Sequence, residues 1–196
     1  MTHSVYSQTI ALIDAANSQD PNSEVHDGNN APKELLYSQR MTATLTKFNP
    51  EASELLHIAA RGQHIERWTS LRSDYPEGRT GYKQWRAELG LFHAKRVAEL
   101  MAEAGYDDDA CERAKYITQK RSIKRDDDSQ CLEDVACLVF IEHYMAAFAN
   151  KSGYDEAKLI DIIQKTWAKM SDKGHAAALQ LPLDQALLDL IGKALS

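Results

Sequence analysis

Cys131-Leu-Glu-Asp-Val-Ala-Cys-Leu-Val-Phe-Ile-Glu-His-Tyr-Met-Ala-Ala-Phe-Ala149 decides the fold class. The stretch is apolar nearly all round at helical spacing, the pattern of a central helix rather than a surface one. It also carries two acids near its start. Asp134 shares a face with Leu138 and Ile141, and Glu133 shares one with Cys137 and Phe140, so at least one carboxylate is expected to point inward. An ionised carboxylate in the interior is costly unless it is paired, hydrogen-bonded or bound to metal. Two readings follow for it: a structural ion pair or cap, or a functional group.

Working outward, the rest of the chain supplies further helices around this one. Tyr6, Ile10 and Ile13 give a first helical stripe, which Asp20-Pro21-Asn22 stops. Residues 18–32 read as a loop. Pro32 then opens a second helix over 33–48, with Leu36, Met41, Leu45 and Phe48 as its stripe. Asn49-Pro50-Glu51 repeats the start signal for a third, expected to run to about Trp68. Residues 69–79 read as a connecting loop. A fourth helix follows from Thr80 to Ala104, stopped by Gly105, and a fifth from Asp107 to about Arg121. Beyond the quoted stretch lie helices over about 154–171 and 184–194. No alternating run is long enough for a strand, so the expectation is an all-α, single-domain multi-helix bundle over 1–196.

Composition narrows the function classes. The chain of 196 residues has 23 Lys+Arg against 29 Asp+Glu, a net charge of −6. That acidic balance argues against non-specific nucleic-acid binding, which depends on a cationic surface. The charge is uneven, however. Residues 61–125 carry 14 basic and 10 acidic groups, whereas the stretches on either side sum to −4 and −6. The middle therefore suits a small anion. Three cysteines without CxxC spacing point to a reducing compartment. The chain has no basic start followed by an apolar run and no stretch of ~18 apolar residues, so no membrane partner and a cytoplasmic location are expected.

The basic middle holds the residues suited to chemistry. His57, Arg61 and His64 fall at i, i+4 and i+7, on one helical face. Arg72, Arg79, Arg86 and His93 gather around the start of the fourth helix, interleaved with Tyr75, Tyr82 and Trp85. Guanidinium groups match phosphate and carboxylate oxygens bidentately, so this cluster beside imidazoles suits an anionic ligand. A solvated arginine face is the alternative. No P-loop, GxSxG or GxGxxG occurs.

Several of these stretches recur in one order: Ile13-Asp14-Ala15-Ala16-Asn17, Leu36-Tyr37-Ser38-Gln39-Arg40-Met41-Thr42, Gln63-His64-Ile65-Glu66-Arg67-Trp68, Gly81-Tyr82-Lys83-Gln84-Trp85-Arg86, Phe92-His93-Ala94, Leu132-Glu133-Asp134 and Lys165-Thr166-Trp167. Together they resemble domain of unknown function 4202, a family without an assigned activity. The layout also resembles, distantly, the HD phosphohydrolases, all-helical metal enzymes that hydrolyse phosphate esters. That second resemblance implies His64, His93 and Asp134 as catalytic residues and as ligands of a divalent metal. On the leading reading, Arg40, Arg67, Arg79 and Arg86, with Trp85 and Tyr37, are expected to hold a phosphorylated or nucleotide-like small molecule. Two departures reduce the metal set: Ile65 stands where the pattern has Asp, and Tyr37-Ser38 where it has the first His. The open alternative is a non-catalytic ligand-binding or protein-interaction module with a degenerate metal site.

Overall fold

The computed structural model describes residues 4–151 and 153–196. The chain divides into two compact units, Met1–Arg121 and Ser122–Ser196.

In the first unit, α1 (Val5–Asn17) is capped by Ser4, whose side chain accepts from the Ser7 amide. The expected loop over 18–32 contains a hairpin instead. Its strands, β1 (Ser23–His26) and β2 (Asn29–Pro32), pair antiparallel, with His26 opposite Asn29. Asp27 and Gly28 make the two-residue turn between them with φ of 49° and 77°, the doubly left-handed turn that matches strand twist. The strands are short and mostly exposed, so no apolar alternation announces them. Asp20 then joins hairpin to helix. One carboxylate oxygen accepts from the Asn22 amide at 2.9 Å, and the other accepts from the Glu34 amide at 3.0 Å in the first turn of α2 (Lys33–Phe48).

The next helix, α3 (Glu54–Arg61), ends seven residues before the expected Trp68. The chain turns at Gly62, where it passes close to α4 (Gly78–Ala104): a Cβ at Gly62 would run into the Val97 side chain. The expected connecting loop, 69–79, holds a short 3-10 turn at Arg72–Asp74, follows another at Arg67–Thr69, and yields to α4 at Gly78. After α4, Gly105 at φ 106° closes the helix and Asp107 caps α5 (Asp108–Thr118). Ile13, Ile58, Ile65, Val97, Leu100, Met101, Cys111 and Ala114 form a buried cluster. Each large aliphatic chain fully buried there is worth roughly 1.5–3 kcal/mol. A forked ion pair fixes α1 to α3, with Arg61 Nε and Nη2 each donating to Asp14 at 2.6 Å.

The second unit is built on α6 (Asp127–His143). Asp126 caps this helix by accepting from the Ser129 amide, so it starts earlier than the apolar run suggests. The run does not remain one helix. It breaks at Tyr144, with φ −124° and ψ −24°, and continues as α7 (Met145–Lys151). The helix expected over 154–171 is shorter, α8 (Glu156–Trp167), and a further helix that the sequence reading did not include, α9 (Asp172–Ala178), follows it behind the Ser171 cap. The chain closes with α10 (Gln185–Leu195), packed on α8. Leu132, Val135, Leu138, Val139 and Ile141 of α6 are buried, in keeping with its central role.

Candidate functional site

The turn after α3 positions the central residues. Glu66 adopts a left-handed φ of 50°, its amide donates to Asn17 Oδ1 at 3.0 Å, and its carboxylate accepts a fork from Arg96 at 2.9 and 3.3 Å. These bonds hold 64–67 against α1 and α4. His64 lies between Tyr37 of α2 and His93 of α4. Its ring stacks on Tyr37 with centroids 4.1 Å apart at 12°, and lies 5.8 Å from the His93 ring. Arg67 lays its guanidinium over Trp85 at 4.8 Å. Trp85 is held in turn by its Nε1, which donates to the Ser70 carbonyl at 3.2 Å. Trp85, Leu89 and His93 follow one another at four-residue spacing on the buried face of α4.

His93 is 3% exposed. Its Nδ1 lies 2.8 Å from the Ile65 carbonyl, which can only accept, so this nitrogen carries the ring proton. Nε2 is left with a lone pair and, among the described residues, is buried without a hydrogen-bond partner, as is Nη1 of Arg67. Burial drives the His93 pKa down to about 3, with Arg67 and Arg86 adding to the effect. His64 is also held well below its ordinary value, first by burial and then by Arg67, His93, Arg86 and Lys120. Both imidazoles are therefore neutral near pH 7.

Glu34, 6% exposed, places its Oε2 3.5 Å from His64 Nδ1. Burial raises its pKa to about 7 against the pull of Arg67 and Lys33. No motif or spacing in the sequence singles this residue out. An acid in the first turn reads as a partner for the helix dipole, and only the Asp20 bond to its amide turns that position inward.

The remaining expected residues fall differently. Arg86 is exposed on α4 yet close enough to depress His64, His93 and Arg67. Arg79 is exposed in the first turn of α4. Arg40 donates to Glu24 of the hairpin at 2.6 Å. Asp134 belongs to the second unit, 2% exposed, where it accepts from the Ser171 amide at 2.8 Å, the Ser171 hydroxyl at 2.6 Å and Gln130 at 3.1 Å. Its α6 neighbour Glu133 lies 3.7 Å from Lys169 Nζ. Among the described residues, no three His, Cys, Asp or Glu side chains gather into a group that could hold a metal ion.

The fold is thus mostly helical, with a polar site of stacked imidazole and guanidinium groups in its first unit. Among the described residues no helix is long and apolar enough to cross a membrane. The chain belongs to the family described as Domain of unknown function (DUF4202), which it matches over residues 7–191, across both units. Searches of curated proteins and of solved structures gave no match.

Proposed function

We propose that the first unit binds a phosphorylated or nucleotide-like small molecule at Tyr37, His64, Arg67, Trp85, Arg86 and His93. The observation that carries this reading is a local excess of positive charge. Arg67, Arg86 and Lys120 all bear on His64, while Glu34, the carboxyl set against Arg67, is pushed by burial toward its neutral form. An anion offsets the cations and gives the guanidinium groups the oxygens they match. Hydrolysis of a phosphate ester is the reaction class proposed for the bound ligand, with the arginines holding the phosphate and the imidazoles orienting water. The HD-like kinship implied by the motif order belongs to this proposal. No metal step is included, because the donor groups are not assembled for one and the Asp134 oxygens already accept three hydrogen bonds.

The test is a panel of nucleotides and sugar phosphates offered to the purified protein with and without Mg²⁺, Mn²⁺ or Zn²⁺. Calorimetry reads binding and phosphate release reads turnover. Saturable binding that weakens about tenfold or more in Arg67→Ala is expected. If no phosphorylated compound binds, the reading fails. Binding without turnover removes the hydrolytic part and leaves a binding module.

A further inference from the structure

His93 and Arg67 together set a requirement that a phosphate group alone does not meet. Because the His93 Nδ1 proton is committed to the Ile65 carbonyl, Nε2 offers a lone pair and must receive a hydrogen bond. A phosphate dianion has no hydrogen to give, and its oxygens repel that lone pair. The guanidinium Nη1 of Arg67 has the opposite need, a hydrogen without an acceptor. Both atoms are buried, so neither is compensated by bulk water, and Arg67 is close enough for its charge to act on His93. A hydroxyl group can give the hydrogen bond that Nε2 needs.

Resting on the reading above, we propose that the ligand is a phosphate ester carrying a free hydroxyl, as in a sugar phosphate or polyol phosphate, and that His93 Nε2 reads this hydroxyl by accepting its hydrogen bond. The phosphate then lies toward Arg86, the exposed cation of the cluster, and the hydroxyl lies toward the interior. A site built around buried groups that need a hydroxyl discriminates strongly against the analogue lacking it, because the analogue leaves them unpaired. His93 is therefore a specificity residue.

The experiment compares glycerol 3-phosphate and ribose 5-phosphate with propyl phosphate, which has a similar chain and no hydroxyl, using calorimetry on the full chain. Wild-type protein is expected to bind the two hydroxyl-bearing esters about tenfold or more tighter than propyl phosphate. His93→Phe is expected to erase that preference. Equal affinities in the wild type, or a preference that survives His93→Phe, would overturn the proposal while leaving phosphate binding intact. Failure of all three esters to bind removes the binding reading and this one with it. A separate measurement does not depend on ligand or variant: long-range ¹⁵N–¹H correlation of the His93 ring should show the proton on Nδ1. A proton on Nε2 in the free protein overturns the proposal, even if His93→Phe fails to fold.

Discussion

Glu34 and the two histidines beside it place opposite demands on the pH. The folded-state pKa of Glu34 lies near 7 instead of 4.5, so between those values the native chain holds a proton that the unfolded chain has lost. Its contribution is complete below about pH 4.5 and is lost as pH rises through 7, amounting to about 3 kcal/mol in all. His93, lowered to about 3, and His64, lowered in the same direction, act the other way. Below pH 6.5 the unfolded chain takes up protons that the buried imidazoles refuse, and stability falls as the solution becomes more acid. The Glu34→Gln variant should therefore show a dependence of stability on pH between 5 and 6.5 steeper than wild type by about 1.4 kcal/mol per pH unit. Above pH 7 it should be the more stable of the two. Denaturant titrations at a series of pH values check this, and parallel curves for the two proteins would contradict it.

Between elements, the most telling polar contact is the one between α6 and the start of α9. Asp134 accepts from the amide and hydroxyl of Ser171, and the same hydroxyl accepts from the Gly174 amide to cap α9. Gly174 is required by this closeness, since a Cβ there would fall 2.6 Å from Asp134 Oδ1. Asp134→Ala would leave the part-buried amide and hydroxyl of Ser171 without their acceptor, a loss of about 2–4 kcal/mol. Chemical denaturation reads that loss directly. Phosphate-ester binding by the folded variant is expected to equal wild type; a variant of normal stability that cannot bind would return Asp134 to the functional site. The quoted apolar run thus places Asp134 inside correctly, while the group that satisfies it comes from 37 residues further along the chain.

For the whole molecule, the junction between the two units is marked by backbone conformation. Lys120, Ser122 and Lys124 have φ of 54°, 56° and 72°, left-handed values uncommon for residues with a Cβ, and Arg121, Lys124 and Arg125 are exposed. Exposed segments of this kind are preferred sites of proteolysis. Limited trypsin digestion should make its first cut at Arg121, Lys124 or Arg125, read by mass spectrometry of early fragments. A first cut within α4 or α6 would show that the boundary lies elsewhere.

The order of residues alone carries the helical class, the second helix over 33–48, an inward carboxylate at Glu133 or Asp134 and the basic middle of the chain. All of these are local signals: apolar spacing, a proline start and charge along a short window. Tertiary structure decided the rest. Helix three stops at Arg61, where Gly62 packs too closely on Val97 for a side chain, and the hairpin forms through backbone pairing that its exposed side chains do not advertise. The candidate site follows the same division. Its histidines and arginines stand out in sequence, but Glu34 does not, and neither do the Tyr37 stack on His64 and the Ile65 carbonyl that fixes His93. These depend on burial and on bonds between residues far apart in the chain, where the free energy of a side chain is set by what folding brings beside it.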